Sequence, residues 1–97
     1  MYVSDYGFAA SNTYWSTNLS SYNSATSSNW LYPGSNEWTI SRGSSDSTGA
    51  FYVNSSGGVF NGTVYLHSYA VRPAFYLNSN VPYVSGTGTQ SDPFRIA

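Results

Sequence analysis

Few residues of this chain could carry acid, base or nucleophilic chemistry. His67 is its single histidine, the one side chain that normally titrates near neutral pH, so a serine hydrolase would depend on it. The chain has so many serines that a Ser–His pairing carries no information, and no Gly-x-Ser-x-Gly turn exposes a nucleophilic serine. We therefore expect His67 to be a polar loop residue, and a hydrolase built on it is the least favoured function.

The carboxylates form two pairs that could act as acid and base in glycoside hydrolysis: Glu37 with Asp46, and Asp5 with Asp92. The arginines compete for these groups, because an arginine beside apolar strand residues needs a partner when it is half buried. We expect Glu37 or Asp46 to pair with Arg42 or Arg72. The sequence therefore predicts structural carboxylates and no catalytic residues, and the protein is expected not to be an enzyme.

Composition excludes most cofactor and metal chemistry. With no cysteine, the chain has no disulfide framework, thiol nucleophile or zinc ribbon. With no lysine, it has no Walker-type phosphate loop and no Schiff-base chemistry. Calcium needs six to eight oxygen ligands, and no Asp-x-Asp-x-Asp spacing is present. We expect neither a metal nor a cofactor.

Charge, hydropathy and composition limit the partners that the chain could bind and the domain organisation that it could have. A net charge of −1 gives no basic surface for nucleic acid. No apolar run approaches the ~20 residues of a membrane span, so we expect no membrane insertion by this segment. An aromatic content of 19% favours a folded core over disorder. We expect residues 1–97 to form a single domain, the C-terminal fragment of a longer surface protein; the alternative is a complete small protein.

The residue types favour binding over catalysis. Tyrosine, serine, glycine and asparagine with occasional tryptophan and arginine is the composition of antibody paratope loops, where tyrosine supplies contact area and the small polar residues supply hydrogen bonds. Exposed aromatic rings beside small polar residues also suit stacking on sugars. The alternative is that these tyrosines only cover a thin sheet. The candidate ligand-binding residues are Tyr52, Asn54, Phe60, Asn61, Tyr65 and His67.

Short strands separated by turn residues must position these side chains. Residues 37–42 alternate in polarity, and residues 50–54 form a second strand whose Phe51 and Val53 face the core. Gly57 and Gly58 predict a hairpin connection to a strand at residues 59–61, which Gly62 ends. Residues 63–66 are a further strand or a loop, and residues 43–48 are a loop.

The segments on either side of this predicted sheet carry the remaining patterns. Residues 1–10 predict a strand that turns at Gly7. The spacing of Trp15, Leu19 and Tyr22 favours one short helix, with irregular loop as the alternative. Residues 70–77 form the strongest apolar run, and Pro73 makes that strand an edge strand or a bulged one. Residues 81–84 and 93–96 are extended.

Three segments together resemble a known family: residues 37–42 (Glu-Trp-Thr-Ile-Ser-Arg), residues 49–59 with their paired glycines, and residues 69–77 (Tyr-Ala-Val-Arg-Pro-Ala-Phe-Tyr-Leu). Over residues 30–97 the chain resembles the C-terminal half of formylglycine-generating-enzyme-like domains of the C-type-lectin fold, found in Firmicutes and gut-metagenome surface proteins. The closing stretch, residues 85–96, resembles the ends of bacterial cell-surface proteins. The copper-binding cysteines of the enzyme branch are absent here, so its activity is not carried over.

The resemblance implies an α+β, β-dominated protein with a C-type-lectin-like fold of short antiparallel strands, hairpins and long loops. It places Trp38, Ile40, Phe51, Val53, Val71, Phe75 and Leu77 in the rigid frame, and the six candidate residues near a display surface. Arg72 is a frame residue in this interpretation. The function expected is a non-enzymatic adhesin or lectin-like module that binds an extracellular protein or glycan on a bacterial cell surface or phage particle. The alternative is a structural pilin-associated or cell-wall-linked module with no dedicated ligand.

Overall fold

A computed structural model describes residues 1–44, 47–73 and 75–97. Helix α1 (Val3–Phe8) precedes two 3-10 helices, Asn12–Tyr14 and Leu19–Ala25. The strands are β1 (Glu37–Arg42), β2 (Gly49–Val53), β3 (Val59–Thr63), β4 (Tyr83–Ser85) and β5 (Arg95–Ile96). The first three form an antiparallel sheet in the order β1-β2-β3, and a second antiparallel sheet pairs β4 with β5. The described residues therefore form a β-dominated α+β protein, as predicted.

The first ten residues contain helix α1, so the strand predicted there is wrong. The Asp5 carboxylate accepts a hydrogen bond from the Tyr2 N–H at 2.8 Å and satisfies a donor that the first turn leaves free. Val3, Tyr6 and Ala10 recur at the spacing of one helical face, and all three belong to the core or pack against it. Burial of this face overrides the weak strand pattern.

The helix predicted within residues 11–29 is present only as short 3-10 segments. Leu19 and Tyr22 lie in the second 3-10 helix, whereas Trp15 lies outside both and is 53% exposed. The hydroxyl groups of Ser24 and Thr26 donate to backbone carbonyls three residues earlier. Such local bonds compete with regular α-helical pairing, which explains the broken helix.

The core lies between this helical layer and one face of the three-stranded sheet. Tyr6 and Tyr22 contribute the largest buried side chains from the helical layer, and their ring centroids are 5.9 Å apart. Val53 and Val59 meet them from the sheet. Each phenol donates to a backbone carbonyl, Tyr6 to Gly57 at 2.7 Å and Tyr22 to Gly7 at 2.8 Å, so the polar ends of both rings are satisfied.

Strand β1 buries two polar residues and exposes Ile40, which was expected in the frame. Glu37 and Thr39 are buried on the core face, whereas Ile40 is 64% exposed. Glu37 is neutralised by Arg72, and the Thr39 hydroxyl donates to the Phe51 carbonyl at 2.8 Å. A register shift between Trp38 and Arg42 leaves Ile40 outside the regular pairing with β2. Because its partners are distant in sequence, the buried glutamate could not be read from alternation alone.

The β2–β3 hairpin forms as predicted, with Phe51 and Val53 turned toward the core. Gly57 connects the strands with a φ of 100°. The strand β3 does not end at Gly62, which pairs with Ala50, and it continues to Thr63. The prediction that Gly62 breaks the strand is therefore wrong. Ala50 and Phe51 keep their antiparallel partners through this stretch, which outweighs the low strand preference of glycine.

Residues 70–77 form no regular strand over the described positions, which exclude Ala74. Ala70 alone makes an isolated parallel bridge, to Glu37. Val71, Phe75 and Leu77 are exposed at 67%, 77% and 53%, so their assignment to the frame is wrong. Pro73 has no N–H to donate to a ladder and lies three residues past the bridge. The loop predicted at residues 43–48 includes Ser45 and Asp46, which lie outside the described residues, as do the pairings predicted for Asp46.

The second sheet overlaps the extended segments predicted near the C-terminus, and β4 runs one residue past the first of them, to Ser85. The Asp92 carboxylate accepts hydrogen bonds from the Thr87 N–H and hydroxyl, and it pairs with Arg95 at 3.1 Å. The rings of Tyr83 and Phe94 meet edge to face at 5.9 Å. The hydrogen bonds described for residues 78–97 all lie within that stretch, so it is held together as a small hairpin of its own.

Candidate ligand-binding face

The sheet turns a second face away from the helical layer, and aromatic side chains gather there. In the β1–β2 pairing Trp38 lies opposite Tyr52, and in the β2–β3 pairing Tyr52 lies opposite Phe60. Successive side chains of a strand point to opposite faces, so Tyr52 points away from the core that Phe51 and Val53 contact. The pairing register therefore collects one ring from each of the three strands on one face.

Two further rings come from the segment that follows β3 and complete a cluster of five. The Tyr69 centroid lies 4.9 Å from that of Trp38 and 4.8 Å from that of Tyr52. His67 stacks on Tyr69 with centroids 5.0 Å apart and planes inclined by 9°. Each contact falls within the range in which aromatic pairs attract. We call this set the aromatic face: Trp38, Tyr52, Phe60, His67 and Tyr69.

Gly62 makes room for this arrangement. A Cβ atom at this position would lie 3.1 Å from Tyr52 Cε1 and 3.6 Å from His67 Cδ2. The two rings therefore cover a stretch of strand that carries no side chain. Gly62 lowers the strand preference of β3, but it also lets the rings of Tyr52 and His67 lie against the backbone.

The aromatic face is half buried and carries no carboxylate or guanidinium of its own. Trp38, Tyr52 and Tyr69 are partly buried, Phe60 is 40% exposed and His67 is exposed. Burial raises the pKa of the Tyr52 phenol, and the neighbouring Tyr69 raises it further. The phenol is therefore neutral across the physiological pH range. A surface of this kind offers ring faces, ring edges and hydroxyl groups to a ligand, and the exposed Arg42, opposite Ala50, lies on the same side of the sheet.

The structure brings together half of the predicted binding residues. Tyr52, Phe60 and His67 belong to the aromatic face. Tyr65 is 74% exposed in the turn after β3. Asn61 pairs with Phe51 on the opposite face, where its amide lies against Gly43, 2.8 Å from the position that a Cβ would occupy.

Asn54 is engaged within the hairpin turn. Its Oδ1 accepts hydrogen bonds from the backbone N–H of Ser56 at 3.1 Å and of Gly58 at 3.0 Å. The Ser56 hydroxyl donates to the same oxygen at 2.9 Å. This is the local turn chemistry that asparagine favours, and it fixes the loop between β2 and β3. Its carbonyl oxygen thus positions the strands that carry Tyr52 and Phe60.

Sequence reasoning missed two members of the aromatic face. Trp38 was expected in the frame, although its place opposite Tyr52 follows directly once β1 and β2 pair. Tyr69 precedes the Ala70 bridge to Glu37, which brings its ring over Trp38. That bridge joins segments far apart in sequence, so no local signal identified Tyr69.

Arg72 pairs with Glu37, one of its two predicted partners, at 2.6 Å. Within residues 1–44, 47–73 and 75–97 the ion pairs are this one and Arg95–Asp92, and neither involves His67. The same residues include no group of three or more histidine, cysteine, aspartate or glutamate side chains placed to hold a metal ion.

None of the helices described is both long and apolar enough to cross a membrane. Comparisons of the chain with family models, with curated proteins and with solved structures found no match.

Proposed function

We propose that this chain is a non-enzymatic module that binds an extracellular protein or glycan through the aromatic face. The observation that carries the proposal is the collection of five rings on the side of the sheet opposite the core. The core is already built from Tyr6, Tyr22 and the valines of β2 and β3, so these rings are additional to it.

The chemistry of the aromatic face suits a partly apolar ligand. Tyrosine and tryptophan provide large contact areas at low cost in conformational entropy, because their side chains have two rotatable bonds. The mutual ring contacts of Trp38, Tyr52 and Tyr69 fix the rings before a ligand arrives. A surface ordered in advance loses less entropy on binding, which favours affinity. Phe60 and His67, at the more exposed positions, are then the residues best placed to contact a ligand.

The proposal also includes a specific fold and a location for the protein. We place the chain in the C-type-lectin-like fold, with formylglycine-generating-enzyme-like domains as its relatives, on the resemblance of residues 37–42, 49–59 and 69–77. The bridge between Glu37 and Ala70 supports this, because it joins two of the three segments that carry the resemblance. A bacterial cell surface or phage particle is the proposed location, where an exposed face would meet extracellular ligands.

An array of glycans and proteins, probed with the labelled 97-residue chain, tests the proposal. Hits are then measured by titration against Phe60→Ala and His67→Ala, which change exposed rings of the aromatic face. Trp30→Ala is the matched control, since Trp30 is an aromatic residue 76% exposed beside α1. We expect both face variants to weaken binding by more than about tenfold and the control to leave it unchanged. Binding that is lost in the control and kept in both face variants would overturn the proposal.

The alternative function is a structural module with no dedicated ligand. The exposed apolar side chains of Val71, Phe75 and Leu77 favour it, because a linker packed within a larger assembly would cover them. An array without hits, from a chain whose circular dichroism shows a folded sheet, supports this alternative. The two functions are therefore separated by one experiment on one preparation.

A further inference from the structure

A charged side chain lies beside the aromatic face, on the same side of the sheet. Arg42 pairs with Ala50 across β1 and β2, and Ala50 lies two residues before Tyr52 on β2. Directly opposed residues point to the same face of a sheet, and so do residues two apart on one strand. Arg42 and Tyr52 are therefore diagonal neighbours on the outer face, a separation of about 7–8 Å that long side chains span. The cation and the rings belong to one surface.

Small residues separate the cation from the rings. Gly62 lies opposite Ala50 on β3, so the row that begins with Arg42 continues with one methyl group and then with no side chain. The Tyr52 and His67 rings lie over Gly62, with Tyr52 Cε1 3.1 Å and His67 Cδ2 3.6 Å from the position that a Cβ would take. Neighbouring strands are about 4.8 Å apart, so roughly 10 Å separates the backbone of β1 from that of β3. We call this depression the trough: its floor is the partly exposed Ala50, and its sides are Arg42 and the two rings.

The charge of Arg42 is not used within the part of the chain that the structure describes. Arg72 donates to the Glu37 carboxylate. Arg95 donates to the Asp92 carboxylate. Across residues 1–44, 47–73 and 75–97, no ion pair or hydrogen bond engages the guanidinium of Arg42, which is exposed. A positive charge beside the rings is therefore open to an anion from outside the chain.

A carboxylate is the anion that the trough suits. The planar guanidinium presents parallel N–H donors that match the two oxygens of a carboxylate. A phosphate monoester carries nearly two negative charges, and the chain has no lysine to match the second. One guanidinium and one carboxylate balance each other, and the rings across the trough are left to contact an apolar surface of the same ligand.

An acidic sugar fits the trough better than an acidic peptide does. In a uronic or sialic acid the carboxylate is attached directly to the sugar ring, so the charge and the apolar C–H face keep a fixed separation. The trough likewise holds its cation and its rings at a fixed separation, because both are mounted on one sheet. A glutamate side chain has rotatable bonds and no flat face, so it would lose more entropy on binding and leave the rings uncovered.

We infer that the aromatic face binds a glycan whose sugars carry carboxylates, and that Arg42 is the residue that selects the acid. The sugar ring lies over Ala50, between the Arg42 guanidinium and the rings of Tyr52 and His67. This inference rests on the proposed function, because it names the ligand class of the same face.

An array of oligosaccharides that end in glucuronic, galacturonic or sialic acid tests the inference, each printed beside its methyl ester and probed with the labelled 97-residue chain. The ester keeps the ring and its hydroxyl groups and removes the charge. Titration of the hits should show at least about tenfold tighter binding of the acid than of its ester. That preference should shrink as added salt screens the charge. A tetraglutamate peptide on the same array represents a protein ligand, and binding to it that exceeds binding to every acidic sugar overturns the inference.

Substitutions at two arginines identify the residue that selects the acid. Arg42→Gln should lower the affinity for the acid to that for the ester and leave the ester affinity unchanged. Arg42→Lys keeps the charge without the planar pair of donors, so its preference should fall between the two. Arg95→Gln is the matched control, because it removes the same charge from a side chain that is 55% exposed in the second sheet, and it should keep the full preference. Circular dichroism establishes that each variant is folded.

The possible outcomes separate this inference from the proposed function. Acids and esters bound equally well, with binding lost in Phe60→Ala, would overturn the selection of acids and leave the aromatic face as the binding surface. An acid preference that Arg42→Gln leaves intact would also overturn the inference. A folded chain that binds nothing on either array would overturn both.

Discussion

Arg72 holds the Glu37 carboxylate with two hydrogen bonds, from Nε to Oε1 at 2.6 Å and from Nη2 to Oε2 at 2.8 Å. The Glu37 side chain is 3% exposed, whereas that of Arg72 is 49% exposed. Arg72 also donates to the Leu31 carbonyl at 2.6 Å. One guanidinium therefore ties the buried end of β1 both to the segment before the sheet and to the segment that follows Tyr69.

Replacing Arg72 alone should lower the free energy of unfolding more than replacing both members of the Arg72–Glu37 pair. Arg72→Leu leaves a buried carboxylate without its partner, and we expect a loss of about 2–3 kcal/mol in the free energy of unfolding, less than for a fully buried pair because Arg72 is half exposed. In Glu37→Leu/Arg72→Leu the unpaired charge is gone, so part of that loss should return. Urea titrations of the single and double variants measure the coupling. A double variant less stable than Arg72→Leu would contradict this account of the pair.

Tyr6→Phe isolates one buried hydrogen bond. The phenol donates to the Gly57 carbonyl at 2.7 Å inside the core, and Phe keeps the ring while leaving that carbonyl unpaired. We expect the free energy of unfolding to fall by about 1–2 kcal/mol. Tyr2→Phe is a matched control at a ring that is 57% exposed, and thermal melts should place it within error of the parent chain. Equal melting temperatures for Tyr6→Phe and the parent would refute the role given to this hydroxyl.

The same residue makes stability sensitive to alkali. Burial, with smaller contributions from Tyr32 and Tyr22, raises the pKa of Tyr6 to about 12. Burial also raises the pKa of Tyr22. A phenol with a raised folded pKa binds its proton more tightly in the folded state, so its contribution is complete below the unfolded pKa near 10 and is lost as pH rises toward 12.

Denaturant midpoints measured from neutral to strongly alkaline pH check this. The free energy of unfolding should be level through neutral pH and decline above about pH 10. Tyr6→Phe should flatten that decline, while Tyr2→Phe should not. An unchanged alkaline slope in Tyr6→Phe would show that other groups cause it.

The Asn54 side chain holds the β2–β3 turn, and two substitutions test how much the turn depends on its oxygen. Asn54→Ala removes an oxygen that accepts three hydrogen bonds in the β2–β3 turn, and we expect it to cost about 1–2 kcal/mol. Asn54→Asp keeps the acceptor and should recover most of that stability. Heat denaturation measures both variants. If Asp were as destabilising as Ala, the turn would not depend on this acceptor.

Two glycines with positive φ should respond very differently to alanine. At Gly57, φ is 100° and a Cβ would lie 2.4 Å from Thr26 Cγ2, so Gly57→Ala combines strain with a clash. At Gly34, φ is 75° with no atom within 4 Å of the Cβ position. We expect a loss of more than about 2 kcal/mol at Gly57 and about 1 kcal/mol at Gly34. Urea unfolding of the two variants side by side measures the difference, and equal losses would mean that backbone strain alone acts at both.

Local patterns in the sequence were enough to predict the β2–β3 hairpin. Paired glycines after Asn54, with Phe51 and Val53 alternating before them, set both the turn and the core face of β2. The β-dominated class followed from the same features. Residues 1–10 were predicted wrongly, because the helix there depends on the burial of Tyr6 against Tyr22 and the sheet, which no local pattern contains.

The aromatic face was predictable only in part for the same reason. Tyr52 was assigned to the outer face from alternation within one strand, and the structure agrees. Ile40 is exposed although it was expected in the frame, and a partner thirty-five residues away decides that Glu37 is buried. Tyr69 joins the face through the Ala70 bridge, a contact between distant segments that composition and spacing do not encode.

The attachment of the C-terminal hairpin has a mechanical consequence. Ala70 is hydrogen-bonded to Trp38 and Asn36, and Arg72 forms an ion pair with Glu37. The hydrogen bonds described for residues 78–97 all lie within that stretch. A pulling force on the last residue would load the pairing of β4 with β5 and then, through residues 73–77, Arg72 and Ala70. Because the Ala70 bridge runs parallel to β1, the load would act along the strand as shear. Both contacts lie on the route from the pulled end to the Tyr6–Tyr22 core.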